Sequence, residues 1–267
     1  MNQASPIEAI SILKVDILSI AKYRYQYLHE LPFAQEFFVE GLAKNALCYA
    51  IYADDQCAGY ALIHDHVIVE FYLIPSMTGI AKNAMTNLIS ETASTSSLCK
   101  SFDHLFLETC IQIFNRKEIV GYLYRNFETS QMPKLVNLNL VVEPVITSDL
   151  QSILSIDGQF FADEDEVKTY FEADSRIFKF TARDKLVGCG IIKQVIPGMN
   201  DYDIGYAVSP EHRQKGVATY IAVQLRNYCI EQGWNPIAGC SSENIASQKT
   251  LERAGFSAVY TLIKWSV

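Results

Sequence analysis

Apolar runs, polar turns and amphipathic stretches follow one another in the same order in both halves of the chain. Each half opens with an apolar strand that leads to an aspartate, Asp16 in the first half and Asp149 in the second, which can satisfy the unpaired amides of a helix start. A predicted hairpin follows, with turn residues at 54–55 and at 183–184. The pattern predicts an α/β fold.

Each hairpin is followed by a further strand, a proline and an amphipathic helix. Both predicted helices carry small or apolar residues at helical spacing on one face: Ala81, Ala84, Met85 and Leu88 in the first half, and Ala218, Ile221, Ala222, Leu225 and Cys229 in the second. Gly59 and Gly188 are 129 residues apart, as are Asn115 and Asn244. The common order and offset indicate a tandem repeat.

A polar connector at 128–134 separates the two halves. The chain of 267 residues is long for one compact domain and sufficient for two of about 130 residues each. We therefore expect one domain at residues 1–130 and a second at 138–267.

The composition narrows the classes of protein and ligand. Apolar residues make up 49% of the chain and charged residues 19%, so a buried core forms readily and disorder is not expected. The formal charge of −8, from 30 acidic and 22 basic side chains, argues against nucleic acid as a partner, because binding phosphate backbones needs a basic surface. No apolar stretch approaches the length of a membrane span.

The seven cysteines contain no CxxC pair, and most lie in apolar stretches, where free cysteine behaves as a small hydrophobe. A disulfide framework is not expected, and the interpretation is a cytoplasmic protein without a signal peptide. Cys240 has no histidine placed to activate it, so we interpret it as a core residue and not as a nucleophile.

The segment 208–219 carries the clearest chemical signal. A strand ends there, a loop follows, and a helix begins at a glycine and small residues. Helix starts leave unpaired N–H groups and a partial positive charge, so they bind anions well. Gly216 and Ala218 would let a pyrophosphate approach the main chain, and Arg213 and Lys215 would add positive charge. Neither a GxxxxGK[ST] phosphate loop nor a GxGxxG fingerprint is present.

The run Arg213–Ala218 resembles the Arg/Gln-x-x-Gly-x-Gly/Ala motif of the GNAT superfamily of N-acetyltransferases. The preceding segment, 204–211, is similar to the strand that leads into this motif in the family. Downstream, Asn244 with the following helix, and then Gly255 and Phe256, are similar to the family's asparagine loop, next helix and closing Gly-Phe. These three signals occur in the family's order across the second half of the chain.

The resemblance implies two domains that each have a mixed, mostly antiparallel sheet flanked by helices, with an acetyl-CoA site in the second. The main chain of Tyr206, Ala207 and Val208 would pair with the pantetheine arm, and Asn244 would hydrogen-bond to it. An N–H group near Val208 would polarise the thioester carbonyl. The amides that would hold the pyrophosphate are those of Arg213, Gln214, Lys215, Gly216, Val217, Ala218 and Thr219.

Acetyl transfer needs an amine without its extra proton. A lysine-like amine has a pKa of about 10.4, so a base must remove this proton near neutral pH. Asp203, at the start of the strand that would line the cleft, is the preferred base, acting directly or through water. Glu143 is the second candidate. The competing interpretation of Asp203 is a strand-edge carboxylate exposed to water.

One position departs from the family. Many relatives carry a tyrosine seven residues after the loop asparagine, where it protonates the leaving thiolate, and here that residue is Leu251. Either the thiolate leaves without a proton donor, or Ser247, Ser242 or Tyr206 supplies the proton.

The first half departs further. Its corresponding loop, 75–83, lacks the arginine at the first motif position, and Gly79 is out of register. We infer that this half has lost CoA binding and persists as a scaffold that completes the substrate cleft.

Two further clusters have a functional and a structural interpretation. His64, His66 and Glu70 on one predicted strand face would be a partial zinc site, but a polar strand face is the default and no metal is expected. The acidic run at 163–166 is interpreted as a helix start with acids facing the helix dipole. The alternative is an acidic lip that attracts a cationic acceptor.

We therefore expect an N-acetyltransferase that moves an acetyl group from acetyl-CoA to an amine by direct attack, without a covalent enzyme intermediate. The alternative is an acyl-CoA-binding sensor or interaction module without catalytic activity, which Leu251 keeps open. The acceptor would be a small-molecule or peptide amine: an amino acid, a polyamine, an aminoglycoside-like molecule, or a protein N-terminus or lysine.

Overall fold

The computed structural model describes residues 9–129, 131–135, 138–156, 160–161, 163–171 and 175–267. Contacts divide the chain into two compact units. The first comprises Met1–Gly121 and Tyr260–Val267, and the second comprises Tyr122–Val259. In the described part of the chain, no helix has the length and hydrophobicity needed to cross a bilayer.

The strands are β1 (Ile10–Val15), β2 (Leu47–Ala53), β3 (Gln56–His64), β4 (Val67–Leu73), β5 (Ser96–Lys100), β6 (Arg116–Phe127), β7 (Val141–Pro144), β8 (Ser175–Ala182), β9 (Lys185–Gln194), β10 (Asp201–Val208), β11 (Asn235–Ser241) and β12 (Phe256–Ser266). The α-helices are α1 (Ala21–Glu30), α2 (Phe37–Lys44), α3 (Ala81–Thr92), α4 (His104–Ile113), α5 (Leu150–Leu154), α6 (Glu164–Lys168), α7 (Val217–Glu231) and α8 (Ile245–Arg253). The chain changes unit within β6 and again within β12.

The two units have the same strand arrangement. In the first, β1 to β4 are antiparallel neighbours, β5 lies parallel to β4, and the end of β12 pairs antiparallel with β5. In the second, β7 to β10 are antiparallel neighbours and β11 lies parallel to β10. The expected fold of two mixed, mostly antiparallel sheets flanked by helices is confirmed.

The predicted hairpins are present because their turn residues adopt the left-handed conformation that tight turns need. Asp54 has φ 50° between β2 and β3, and Arg183 and Asp184 have φ 50° and 60° between β8 and β9. Two successive residues with positive φ make a type I′ turn, which matches the twist of the strands on either side. Asp16 accepts a hydrogen bond from the Leu18 N–H at 2.8 Å, and Asp149 accepts one from Ile146 at 2.9 Å.

The amphipathic helices bury the predicted faces. Ala81, Ala84, Met85 and Leu88 of α3 pack with α4 against one face of the first sheet. In α7 four of the five predicted positions are buried, and Ala218 is partly buried: the four are Ile221, Ala222, Leu225 and Cys229. On the opposite face of the second sheet, a smaller core forms with α5 and α6.

The structure shows which interpretation holds for the histidines at 64 and 66 and for the acidic run at 163–166. The expectation that His64 and His66 share a strand face is wrong, because β3 ends at His64 and the chain turns at Asp65 and His66, which have φ 47° and 63°. The acidic run begins α6, and the Asp163 carboxylate accepts a hydrogen bond from the Glu166 N–H at 2.8 Å. The interpretation as a helix start is therefore confirmed.

A buried ionic network joins α1 and α2 to the first sheet. The Arg24 guanidinium lies 2.7 Å from the Glu40 carboxylate and 2.8 Å from that of Glu70. Gln35 donates hydrogen bonds to both carboxylates, at 2.7 and 3.1 Å, and the Tyr60 hydroxyl donates to Glu70 at 2.9 Å. Burial lowers the pKa of Arg24, but the two carboxylates more than offset this and raise it above its ordinary value.

The network continues to the end of β5. The Lys100 ammonium donates to the Tyr27 hydroxyl and to the Gln35 carbonyl, both at 2.9 Å, and Tyr27 donates to Asp103 at 2.6 Å. Burial raises the pKa of Asp103, although Lys100 and the Tyr27 hydrogen bond oppose this effect. Satisfied polar groups therefore fill this part of the first unit, so its interior is costly to open.

Candidate active site

Strands β10 and β11 separate partway along their length. They pair in parallel at three positions only: Asp201 with Asn235, Tyr202 with Pro236, and Asp203 with Ile237. Strand β10 remains paired with β9 as far as Val208. We call the opening between residues 204–208 of β10 and 238–241 of β11 the wedge. Along the wedge, the unpaired edge of β10 offers main-chain groups to an extended ligand.

The two faces of β10 have different surroundings, because side chains alternate along a strand. The residues that pack under α7 and α8 are Tyr202, Ile204, Tyr206 and Val208. Ala207 packs on the opposite face, with α5 and α6. Asp203 and Gly205 share that opposite face. Hence Tyr206 and Asp203, two of the predicted site residues, lie on different sides of the sheet.

The loop after β10 has the backbone conformation of an anion site. A 3₁₀ turn at Pro210–His212 follows the strand, Gln214 and Gly216 have φ 60° and 80°, and α7 begins at Val217. Arg213 is extended, and the left-handed residues Gln214 and Gly216 then change the direction of the N–H groups; turns of this kind can form a concave site for an anion. The partial positive charge of the α7 N-terminus adds to this site.

The N–H groups of the loop are unpaired over six residues. Among the residues that the structure describes, the main-chain N–H groups of 214–219 donate no hydrogen bond. The first helical bond of α7 is the one from Tyr220 to the Gly216 carbonyl, at 3.0 Å. Donors in this state need water or a ligand, and a phosphate oxygen is a suitable acceptor.

Side chains of the loop hold its shape. The Arg213 Nε donates to the Val208 carbonyl at 3.1 Å, and the Lys215 ammonium donates to the Glu211 carbonyl at 2.6 Å. His212 Nδ1 lies 2.8 Å from the Ser209 hydroxyl oxygen. Arg213 and Lys215 therefore brace the loop through its carbonyls as well as adding positive charge near it.

The backbone conformation at position 216 favours glycine. A φ of 80° is costly for any residue that has a Cβ atom. The space above it is open, since an added Cβ would have Leu135 Cδ2 at 3.5 Å as its only neighbour within 4 Å in the described structure. The contact with Leu135 could not be read from the sequence, because it brings the connector to the loop across a long separation.

Helix α8 begins at the predicted asparagine. The Asn244 side-chain oxygen accepts a hydrogen bond from the Ser247 N–H at 3.0 Å and caps the helix. Its amide nitrogen donates no hydrogen bond within the described structure and faces solvent with an exposed side chain. One end of Asn244 is therefore fixed, and the other is available as a donor.

Tyr206 spans the wedge from β10 to α8. Its hydroxyl lies 3.1 Å from the Ser247 hydroxyl oxygen and 3.4 Å from the Ser247 carbonyl. Burial raises the pKa of Tyr206 above its ordinary value. Burial also raises the pKa of the Cys240 thiol, which contacts the hydroxyls of Tyr124 and Ser247. Both groups are therefore protonated near neutral pH.

Leu251 and Cys240 both pack against the core of the second unit. Leu251 is 1% exposed and belongs to the core under α7. Cys240 is partly buried and packs against the same core. Ser242 lies in the loop before α8, where its carbonyl accepts a hydrogen bond from Gln248 at 2.8 Å.

Asp203 sits at the closed end of the wedge, at the last position where β10 and β11 pair. It is half-buried and lies opposite Lys193 of β9. The Lys193 ammonium is 4.9 Å from the centroid of the Tyr170 ring. Burial, followed by the charges of Glu166 and Asp203, raises the pKa of Tyr170. Sequence reasoning missed Lys193 and Tyr170. Strand pairing brings Lys193 opposite Asp203, and the 3₁₀ helix at Thr169–Phe171 brings Tyr170 against Lys193.

The second base candidate is not near this site. Glu143 lies on β7, and β8 and β9 separate that strand from β10. Neighbouring strands are about 4.8 Å apart, so the distance across the sheet is about 14 Å. Glu143 is exposed and lies 3.8 Å from the Lys179 ammonium. Its proposed role as a base is therefore withdrawn.

The corresponding loop of the first unit has a different conformation. A 3₁₀ helix at Pro75–Ile80 leads directly into α3, and no residue from 75 to 83 has a positive φ. The Met77 N–H donates to the Ile74 carbonyl at 2.8 Å. Strands β4 and β5 pair only through Val67 and Ile68. The first unit thus repeats the separation of strands but lacks the concave N–H site.

Comparisons with known proteins agree with this geometry. Two family models, each described as an acetyltransferase (GNAT) domain, match residues 16–127 and 140–257. A GNAT-family acetyltransferase from Colwellia psychrerythraea has a similar structure, with a TM-score of 0.83 and 19% identity over 96% of this chain and 99% of that one. A tandem GNAT protein from the clavulanic acid biosynthesis pathway gives a TM-score of 0.61 and 10% identity over 97% and 98% of the two chains.

A curated relative matches over a shorter region. An uncharacterized N-acetyltransferase of Bacillus subtilis, YjdG, is 39% identical over 56 residues, which are 20% of this chain and 33% of the relative. The match therefore spans about a third of that protein's length. The two family matches cover most of this chain, one in each half. The chain belongs to the GNAT acetyltransferase family and carries two GNAT domains in tandem.

Proposed function

We propose that the second unit transfers an acetyl group from acetyl-CoA to an amine by direct attack. The observation that carries this proposal is the run of unpaired main-chain N–H groups at 214–219, next to the unpaired edge of β10. A pyrophosphate offers the acceptors that the loop needs. The wedge offers the pantetheine arm a strand edge, so one extended ligand satisfies both features.

The residues proposed to hold acetyl-CoA follow from this geometry. The loop amides from Gln214 to Thr219 bind the pyrophosphate, and the main chain of Tyr206–Val208 pairs with the pantetheine. The Arg213 amide, expected from the sequence to join them, instead donates to the Pro210 carbonyl at 3.3 Å. The free amide nitrogen of Asn244 donates a hydrogen bond to the same arm. A main-chain N–H near Val208 stabilises the negative charge that develops on the thioester oxygen.

Acetyl transfer forms one bond and breaks another, without a covalent enzyme intermediate. The amine nitrogen forms a bond to the carbonyl carbon, and the carbon–sulfur bond breaks with its electron pair on sulfur. The amine is protonated at neutral pH because its ordinary pKa is near 10.4, so it loses one proton to Asp203, directly or through water, before it attacks. Its nitrogen loses a second proton as the amide forms. The acceptor is a small-molecule or peptide amine, and its approach from the Asp203 side of the sheet keeps it apart from the pyrophosphate loop.

The first unit is proposed to be a scaffold without CoA. Two features support this: residues 75–83 have no left-handed residue, and their turn uses its own N–H groups. The buried network around Arg24 and Lys100 also fills the interior beside β4 and β5 with paired charges. A ligand would have to replace these interactions, which makes entry costly.

The proposal is tested by calorimetric titration with acetyl-CoA, followed by thiol release across a panel of amines. The panel contains amino acids, polyamines, aminoglycosides and peptides with free N-termini or lysines. We expect one binding site per chain and thiol release that depends on an amine. Binding without turnover on any amine would support the sensor alternative, and no binding would refute the proposal.

Replacing Asp203 by asparagine tests the base. We expect kcat to fall by about 10²-fold, since a positioned general base contributes on this scale, while the dissociation constant for acetyl-CoA stays unchanged. Steady-state rates and calorimetry measure the two quantities. The matched control is Glu143→Gln, which removes a carboxylate three strands from β10 and should leave both quantities unchanged. Equal rates for Asp203→Asn and the wild type would remove Asp203 from the mechanism.

A further inference from the structure

We propose that the Tyr206 hydroxyl protonates the CoA sulfur as the thiolate leaves, and that Ser247 orients this hydroxyl. The inference rests on the proposed function of the second unit. It assigns a catalytic residue to the part of the reaction that Leu251, an apolar and buried side chain, cannot perform.

The position of Tyr206 brings its hydroxyl into the wedge. Strand β10 leaves β11 after Asp203, and Tyr206 lies within the unpaired stretch that follows. Its hydroxyl reaches α8, the helix that follows β11, and lies 3.1 Å from the Ser247 hydroxyl oxygen. A pantetheine arm that pairs with the edge of β10 must run beside this side chain. The terminal sulfur of the arm would then lie near the Tyr206 hydroxyl, which can donate a proton.

The chemistry requires a proton at this point. A thiol has an ordinary pKa of about 8.5, so the product is the protonated thiol near neutral pH and the leaving sulfur must gain a proton. The hydroxyls gathered near the wedge belong to Tyr206, Ser247, Thr250 and Tyr124. A phenol, with an ordinary pKa near 10, is a stronger acid than the alcohols of serine and threonine. Of the two phenols, Tyr124 is 1% exposed and belongs to the core, whereas Tyr206 is only partly buried and lies on the unpaired stretch of β10, so Tyr206 is the better donor.

The protons balance through the site. The ammonium loses one proton to Asp203 before it attacks, and Asp203 passes this proton to water. The nitrogen loses a second proton to Asp203 as the amide forms, and the sulfur gains one from Tyr206 as the carbon–sulfur bond breaks, so the net reaction releases one proton to water. The Tyr206 phenolate regains a proton from the Ser247 hydroxyl, which is half-buried and recovers its own from water. No oxidant or further reactant takes part.

Cys240 is the competing donor, because its thiol also lies at the wedge. Its sulfur is engaged by the hydroxyls of Tyr124 and Ser247, and it packs against the core under α7. This arrangement directs hydrogen bonds toward the sulfur and leaves it as an acceptor. Tyr206, and not Cys240, is therefore assigned as the donor.

The test is Tyr206→Phe, which removes only the hydroxyl. We expect kcat to fall by about 10²-fold, a loss typical of a missing general acid, with an unchanged dissociation constant for acetyl-CoA. The matched control is Tyr228→Phe on α7, whose ring packs against Phe178 and Trp234 and which should keep the wild-type rate. A kcat for Tyr206→Phe within a factor of about three of the wild type would overturn the proposal, and so would a loss of acetyl-CoA binding.

A tyrosine introduced at position 251 distinguishes the loss of a proton donor from a structural effect of Tyr206→Phe. Residues 247 and 251 are one helical turn apart and lie on the same face of α8. We expect Leu251→Tyr in the Tyr206→Phe background to recover at least part of the lost kcat. The thermal midpoint of each variant shows whether it folds. Failure to recover in a folded double variant counts against proton donation, and a wild-type protein without amine-dependent thiol release would refute the proposed function itself.

Discussion

Replacing Gly216 by glutamate is expected to abolish acetyl-CoA binding, with the dissociation constant rising by at least about 10³-fold. Two effects add. A residue with a Cβ atom costs about 1–3 kcal/mol at φ 80°, and this cost enters the binding free energy because the free loop relaxes and must return to the strained conformation to bind. A carboxylate about 4 Å from a phosphate charge costs about 4 kcal/mol at the dielectric constant near a protein surface. Their sum exceeds the roughly 4 kcal/mol that a 10³-fold change represents. Calorimetric titration measures the change.

Two variants separate the contributions at this position. Gly216→Ala introduces the backbone strain without the charge, so it should weaken binding by about tenfold. Gly79→Glu places the same carboxylate in the corresponding loop of the first unit, where the glycine has no positive φ and an added Cβ has no neighbour within 4 Å among the described residues. This control should bind acetyl-CoA as the wild type does. Loss of binding in Gly79→Glu, and not in Gly216→Glu, would place the cofactor site in the first unit.

Replacing Arg24 by methionine is expected to destabilise the first unit by about 3–5 kcal/mol. The substitution leaves the carboxylates of Glu40 and Glu70 buried next to each other without their shared cation. Breaking a buried ion pair by removing one partner has a cost of this size, because the remaining charge keeps its desolvation penalty. Amide hydrogen exchange in α1 and α2, combined with urea unfolding, reports the stability of this unit.

The control for Arg24 is an exposed ion pair. Lys168→Met removes the partner of Glu164 on α6, where both side chains are exposed and water screens their charges, so the urea midpoint should stay that of the wild type. Adding Glu70→Gln to Arg24→Met should restore part of the lost stability, since the second change removes one uncompensated charge. Additive losses in the double variant would contradict the account of the network as one coupled unit.

The two units differ in whether their polar groups already have partners. The second unit presents unpaired donors at a loop and an unpaired strand edge, both of which a ligand can satisfy. The first unit repeats the separation of strands, but its loop uses its own donors and its interior charges are paired. Hydrogen-bonding groups without partners favour ligand binding, whereas groups that already have partners oppose it. The same fold can therefore hold a ligand in one copy and serve as a scaffold in the other.

Much of the fold could be predicted from the sequence because the signals are local. Turn residues at 183–184 adopt positive φ as their type favours, and the apolar spacing of α3 and α7 matches the buried faces. The helix starts at Asp163 and Asn244 likewise depend on side chains three residues away. Each of these features requires interactions within a few residues, so the pattern along the chain specifies it.

The tertiary structure decided the features that depend on pairing across long separations. The register of β10 with β9 and β11 brings Asp203 opposite Lys193, and the order of the sheet keeps Glu143 three strands away. The hydroxyls of Tyr206 and Ser247 meet only because α8 packs beside the wedge.

The sequence by itself thus determined the repeat, the main elements and the position of the loop that is proposed to bind an anion. It could not show that Glu70 is buried in an ionic network or that residues 260–267 pack in the first unit. Local conformation follows from local sterics and periodicity, whereas the partner of a strand or of a buried charge is chosen by the packing of the whole unit.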